Sequence, residues 1–207
     1  MLALSQPAAG EIVYTKIHHV IRAHSEFKLD LNHDGIADYV FRDRKDGGYS
    51  GVNRFYMSEP PRNGVVNMRV HSYPCFAEAL DAGVRLGPGR IWSTDCLSGT
   101  RLFQQLLDVA RGSSVSYTEG YWNNVTDRYL GLRFIVQGKA HYGWARMSVL
   151  HDKRHRFVVK ALVNGYAYET IPNKPIITGK TEGPDVITVD PGSLGRLAQG
   201  LAGRIGK

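Results

Sequence analysis

Asp30, Asn32, Asp34 and Asp38 stand at positions one, three, five and nine of the segment Asp30-Leu31-Asn32-His33-Asp34-Gly35-Ile36-Ala37-Asp38. Each carries a short side chain ending in oxygen, the atom that a hard cation such as calcium takes six to eight at a time. A glycine at position six lets the chain turn sharply. Side chains one, three and five, the carbonyl at seven and the acid at nine can then face one centre. The expected ligands are Asp30, Asn32, Asp34, the backbone carbonyl of Ile36, and Asp38, directly or through water. Three carboxylates this close repel one another without a cation. The competing reading is a turn with no ion, because Asp, Asn and Gly are turn formers in their own right.

The loop departs from an EF-hand at position twelve, where Phe41 stands in place of a bidentate Glu, and its flanks read as strands. It resembles the short calcium loops of thrombospondin type 3 repeats, dockerins and integrin-type propeller blades. The expected role is structural, pinning two strands. The missing twelfth ligand implies modest affinity, suited to the millimolar calcium found outside cells.

The elements that must position this loop read as strands. Before it lie Glu11 to His19 and Glu26 to Leu31; after it come Ala37 to Arg42, Val52 to Met57 and Val65 to Tyr73. Thr100 to Arg111 carries apolar residues at spacings of three and four (Leu102, Phe103, Leu106, Leu107, Ala110) with Gly112 behind them, which predicts a short helix. Tyr129 to Val136 alternates as a strand, and Ala140 to Val149 returns after the turn at Gln137-Gly138-Lys139. Arg156 to Val163 follows. Asn164-Gly165 reads as a two-residue hairpin turn, with Tyr166 to Thr170 running back. The sum is an all-β protein, an antiparallel β-sandwich or jelly roll with one inserted short helix. Residues 11–177 form the expected domain, 1–10 a signal-peptide remnant or polar tail, and 178–207 a flexible, glycine-rich tail.

Other chemistries find less support. Nucleophile elbows, P-loops, HExxH and dinucleotide fingerprints are absent, and the eight histidines are dispersed. Glu119 and Glu169 are single acids beside aromatics, so a hydrolase would need a site of unfamiliar pattern. Trp122, Tyr142 and Trp144 would form a sugar-binding platform if exposed; their default in a sheet is core packing. Cys75 and Cys96 would pair as a disulfide in a secreted protein and remain two thiols in a cytosolic one. The net charge of +7 is scattered, with no nucleic-acid-binding motif. No apolar run approaches the roughly 18 residues of a membrane span. Leu2-Ala3-Leu4 followed by Ala8-Ala9-Gly10 suits the end of a signal peptide, which implies secretion.

Two segments carry a family resemblance. The first runs from Trp122-Asn123-Asn124-Val125-Thr126-Asp127-Arg128 through RYLGLRF to GKAHYGWAR (138–146), and the second is GYAYETIPNKPI (165–176). Together with the DxNxDGxxD loop they resemble a family of secreted bacterial β-proteins with no established activity, some of which end in a PEP-CTERM sorting tail. The resemblance implies an extracellular or cell-surface location and a β fold, and no reaction. Val189 to Arg204 is similar to such a tail, but Asp190-Pro191-Gly192 replaces Pro-Glu-Pro, and Arg196 and Gln199 break the apolar run, which argues against stable membrane insertion. The expected protein is therefore secreted, non-enzymatic and structural, with one calcium loop. Glycans of the cell surface or matrix are the expected partners if the Tyr/Trp faces are exposed.

Overall fold

The computed structural model describes residues 11–46, 52–67, 76–93, 97–98, 101–102, 104–111, 116–152, 158–182 and 186–189. The strands are Ile12–Ile21 (β1), Glu26–Leu29 (β2), Tyr39–Asp46 (β3), Val52–Ser58 (β4), Gly64–Val66 (β5), Arg85–Leu86 (β6), Trp92–Ser93 (β7) and Leu97–Ser98 (β8). They continue with Arg101–Leu102 (β9), Gln104–Arg111 (β10), Ser116–Glu119 (β11), Val125–Val136 (β12), Lys139–Asp152 (β13), Val158–Glu169 (β14), Ile176–Ile177 (β15) and Val186–Val189 (β16). A large sheet has the order β16-β1-β14-β13-β12-β5-β7, and a smaller one the order β11-β10-β4-β3-β2. The large sheet is mixed, since β16 runs parallel to β1 while β1, β14, β13, β12, β5 and β7 pair antiparallel. Two-stranded ribbons join β15 to β6 and β8 to β9.

The β12–β13 hairpin is the regular part. Val136 pairs with Lys139, leaving Gln137 and Gly138 as a two-residue loop, both at positive φ (49° and 79°). That is the turn whose twist matches the strands it joins. Alternation then sorts the two faces. Leu130, Leu132 and Phe134 of β12, with Ala145, Met147 and Val149 of β13, join Phe41, Phe55, Met57 and Leu106 of the smaller sheet in one buried cluster. The opposite face of the large sheet is covered too. There Tyr129, Tyr142, Trp144, Ile12, Tyr14 and Ala167 pack with Leu80, Leu86 and Ile176. The covering segment is stitched down by a reciprocal pair of 2.9 Å hydrogen bonds between the backbones of Leu80 and Tyr129.

Three sequence expectations are corrected. Among the described residues there is no helix, and the one expected over Thr100 to Arg111 is replaced by β9 and β10. In β10 Gln105 stands opposite Tyr56 and Leu107 opposite Phe55, so the fully buried Leu106 is an extra residue. Such a bulge resets the alternation, and a strand with reset phase shows apolar residues at helix-like spacing. Next, Asn164-Gly165 is no turn, for β14 runs straight through it. Arg146 faces Gly165 and Met147 faces Val163, which makes Asn164 the extra residue of a bulge. Gly165 is required by close approach: a Cβ there would sit 2.9 Å from the Tyr14 ring and hydroxyl. Finally, the sheet extends past residue 177, because Val186–Val189 pairs with β1 and Thr178 is buried. Residues 1–10 and 190–207 lie outside the described residues, as do Cys75 and Cys96.

The bulge at Asn164 has companions. β1 shifts register between Lys16 and His19, opposite Gly165 and Val163, and β12 shifts between Val125 and Arg128. Asp127, at φ 51°, accepts at 3.1 Å from the Asn164 amide, lies 3.8 Å from the Arg146 guanidinium, and donates its N–H to Ser148 Oγ. Extra residues in three strands are therefore aligned in one row across the large sheet.

Candidate functional site

The acidic loop is the connection between β2 and β3, closed where Leu29 pairs with Tyr39. Its shape is set by its own carboxylates. Asp30 accepts the N–H of Asp34 on Oδ1 (3.2 Å) and that of Gly35 on Oδ2 (2.8 Å). Asp34 Oδ1 accepts from the N–H of Ile36 (2.8 Å), and Asp38 Oδ2 from the N–H of Leu31 (2.8 Å). His33 and Gly35 take positive φ (60° and 87°), which gives the chain its sharp reversal.

Asp38 is buried, and its carboxyl is pushed up to about 6, first by burial and then by the charges of Asp30 and Asp34. The Leu31 N–H opposes this only in part. The Asn32 amide donates to Asp34 Oδ2 (3.0 Å), while its carbonyl oxygen is buried with no hydrogen-bond partner. The loop thus brings three acids close enough to feel one another and leaves an acceptor oxygen unsatisfied beside them. Ile36, whose carbonyl completes the expected ligand set, is an exposed residue at the loop's tip. Among the described residues no three His, Cys, Asp or Glu side chains stand together in an arrangement that could hold a metal ion. Asp30, Asp34 and Asp38 therefore do not form such a group by themselves, and the expected set also needs the Asn32 amide and the Ile36 carbonyl. Each carboxylate oxygen that accepts one N–H also keeps a second lone pair.

The loop joins two strands of the smaller sheet and is tied to the large one. His33 Nε2 lies 3.0 Å from Thr15 Oγ1 on β1, and its ring is tilted against Tyr166 of β14 at 5.8 Å. At the other end the Asn63 amide donates to the Asp38 carbonyl (3.2 Å) and accepts the N–H of Ile135 of β12 (3.0 Å). The Tyr39 hydroxyl is shared between the carbonyls of Arg133 (2.6 Å) and Gly64 (3.1 Å). Sequence reasoning missed Thr15, His33 and Asn63 as supports. The only available signal was Asn63-Gly64 after the two prolines, which reads merely as a breaker. A cleft of about 380 Å³ lies beside the loop, lined by His18, His19, Phe27, Asp30, His33 and Tyr166 among others.

The aromatic platform does not form. Trp122 and Trp144 are fully buried and Tyr142 nearly so. Trp122 donates to the Ala77 carbonyl, Tyr142 stacks on Trp92 at 5.3 Å, and Trp144 meets Tyr129 edge-on at 5.2 Å. Both faces of the large sheet are covered, so rings pointing either way enter a core. Glu169 is likewise spoken for: it is buried, accepts the N–H of Ile171, and pairs with Lys174 at 3.1 Å. No protein-family model, curated protein or solved structure matches this chain.

Proposed function

We propose that this protein is a secreted, non-enzymatic β-sandwich whose Asp30–Asp38 loop holds one structural calcium ion, and that it acts at the cell surface or in the extracellular matrix. The sandwich reading is supported by the core that both sheets share. The observation that carries the calcium reading is the repulsion that Asp30 and Asp34 exert on buried Asp38, with the unpartnered Asn32 carbonyl in the same loop. A cation there would offset the mutual repulsion and give the orphan oxygen a partner. Because the loop joins two strands of the smaller sheet and touches the large sheet through His33 and Asn63, the ion staples layers as well as the β2–β3 hairpin. The resemblance to secreted bacterial proteins and the modest expected affinity together support an extracellular setting.

The test is a thermal melt of the full chain in millimolar calcium against chelator. With dissociation constants of about 10⁻⁴–10⁻³ M, roughly 10 mM calcium stabilises by about 1.4–2.7 kcal/mol, a rise of about 3–10 °C. The rise disappears in Asp34→Ala. A wild-type melt indifferent to calcium sinks the proposal. Location is tested by fractionating host cells, where recovery in the cytosol alone would count against secretion.

A further inference from the structure

At the opposite end of the β12 strand from the bulge row, Arg62, Arg133 and Lys139 line one cleft of about 560 Å³ with Pro61, Ile135 and Asn173. Its volume falls in the range of small-ligand sites. Elsewhere on the described surface several basic side chains find carboxylates: Arg42 with Glu26, Arg128 with Asp81, Arg146 with Asp127, and Lys174 with Glu169. At the cleft three cations gather and none does. No acidic side chain lines it, and among the described residues none of its three cations forms an ion pair.

The central cation is also held still. Arg133 Nη2 donates to the Arg62 carbonyl at 2.8 Å, and its own carbonyl accepts the Tyr39 hydroxyl at 2.6 Å. Its Nε is buried with no hydrogen-bond partner. The guanidinium is therefore anchored by neutral backbone oxygen and keeps its whole charge. The acids near Arg133 are Glu59 and Asp38, since all three act on the Tyr39 phenol; both acids are buried and neither is part of the cleft wall. Three like charges gathered with no counter-charge in the cleft wall cost repulsion that an anion relieves, and arginine is the side chain best shaped for an oxyanion.

We propose that this cleft is an oxyanion-binding site, with Arg133 as the fixed anchor and Arg62 and Lys139 as the mobile arms that close on a carboxylate, sulfate or phosphate group of a sugar-sized ligand. It is separate from the acidic loop and does not depend on calcium binding there.

The test titrates the full-length protein, held in chelator, with inorganic sulfate, inorganic phosphate, glucuronate and neutral glucose. Binding is followed by calorimetry and by backbone amide shifts. Saturable shifts at Arg62, Arg133, Gly138, Lys139 and Asn173 with at least one oxyanion and none with glucose are expected. Arg62→Gln and Lys139→Gln, both exposed, should each weaken binding about fivefold while leaving the melting temperature in place. Tighter binding of glucuronate than of the inorganic ions identifies a uronate source, and the reverse a free or esterified inorganic anion. Absence of saturation with all three oxyanions overturns the proposal, as does binding that both substitutions leave unchanged or that glucose matches.

Discussion

The acidic loop and the basic cleft are opposite solutions to gathered charge. In the loop all three acids fall within nine residues, and the chain's own N–H groups are folded in to meet them. In the cleft the charges arrive from three separate segments, and neutral oxygen fixes the central one. The first arrangement is local and partly self-compensated; the second is non-local and uncompensated. The two are joined by one side chain, since Asn63 bonds Asp38 of the loop and Ile135 of the cleft wall.

Breaking that joint gives the largest expected effect. Asn63→Ala leaves the Asp38 carbonyl and the Ile135 N–H without their partner in a buried place and should cost about 2–4 kcal/mol, read by chemical denaturation. Next in size is the charge on Asp38. Its folded carboxyl titrates at about 6 against 3.8 when unperturbed, so its contribution is fully present below 3.8 and lost as pH rises through 6. In chelator, Asp38→Asn should therefore be more stable than the wild type at pH 7, by up to roughly 3 kcal/mol. The gap should close as pH falls toward 4, and in calcium the order should reverse. Reading the difference between the two proteins removes the parallel contribution of Asp43, whose carboxyl burial raises to about 7. Smallest is the cleft: Arg62→Gln and Lys139→Gln should shift stability by about 0.5 kcal/mol or less, because exposed charges hold little folding energy. A large loss in either would make the cleft a structural device like the loop and erase the contrast.

The same contrast explains what was legible in the sequence. The loop's residues were readable because nine consecutive positions carry the whole pattern, and the β12–β13 hairpin was readable because its alternation is unbroken from Tyr129 to Val136. The bulges at Leu106 and Asn164 were not. Each inserts one residue whose only signature is a phase slip, and a slip mimics helical spacing in one case and a turn dipeptide in the other. The fate of Trp122, Tyr142 and Trp144 was hidden for a related reason. Alternation says that two faces exist, but not that a segment far along the chain covers the second one. The cleft needed Arg62 to be brought beside Arg133, which only the pairing of β5 with β12 achieves.

The row of aligned bulges across β1, β14 and β12 has one more consequence. A plain sheet can misalign by two residues and still present apolar side chains to the correct side. Here such a slide would carry Asn164 away from Asp127 and strip the Asp127 N–H of Ser148. Every extra residue would then face a neighbour with no room for it. The row works like index marks on a vernier scale: the long strands agree at one setting, and every other setting is off by a visible notch.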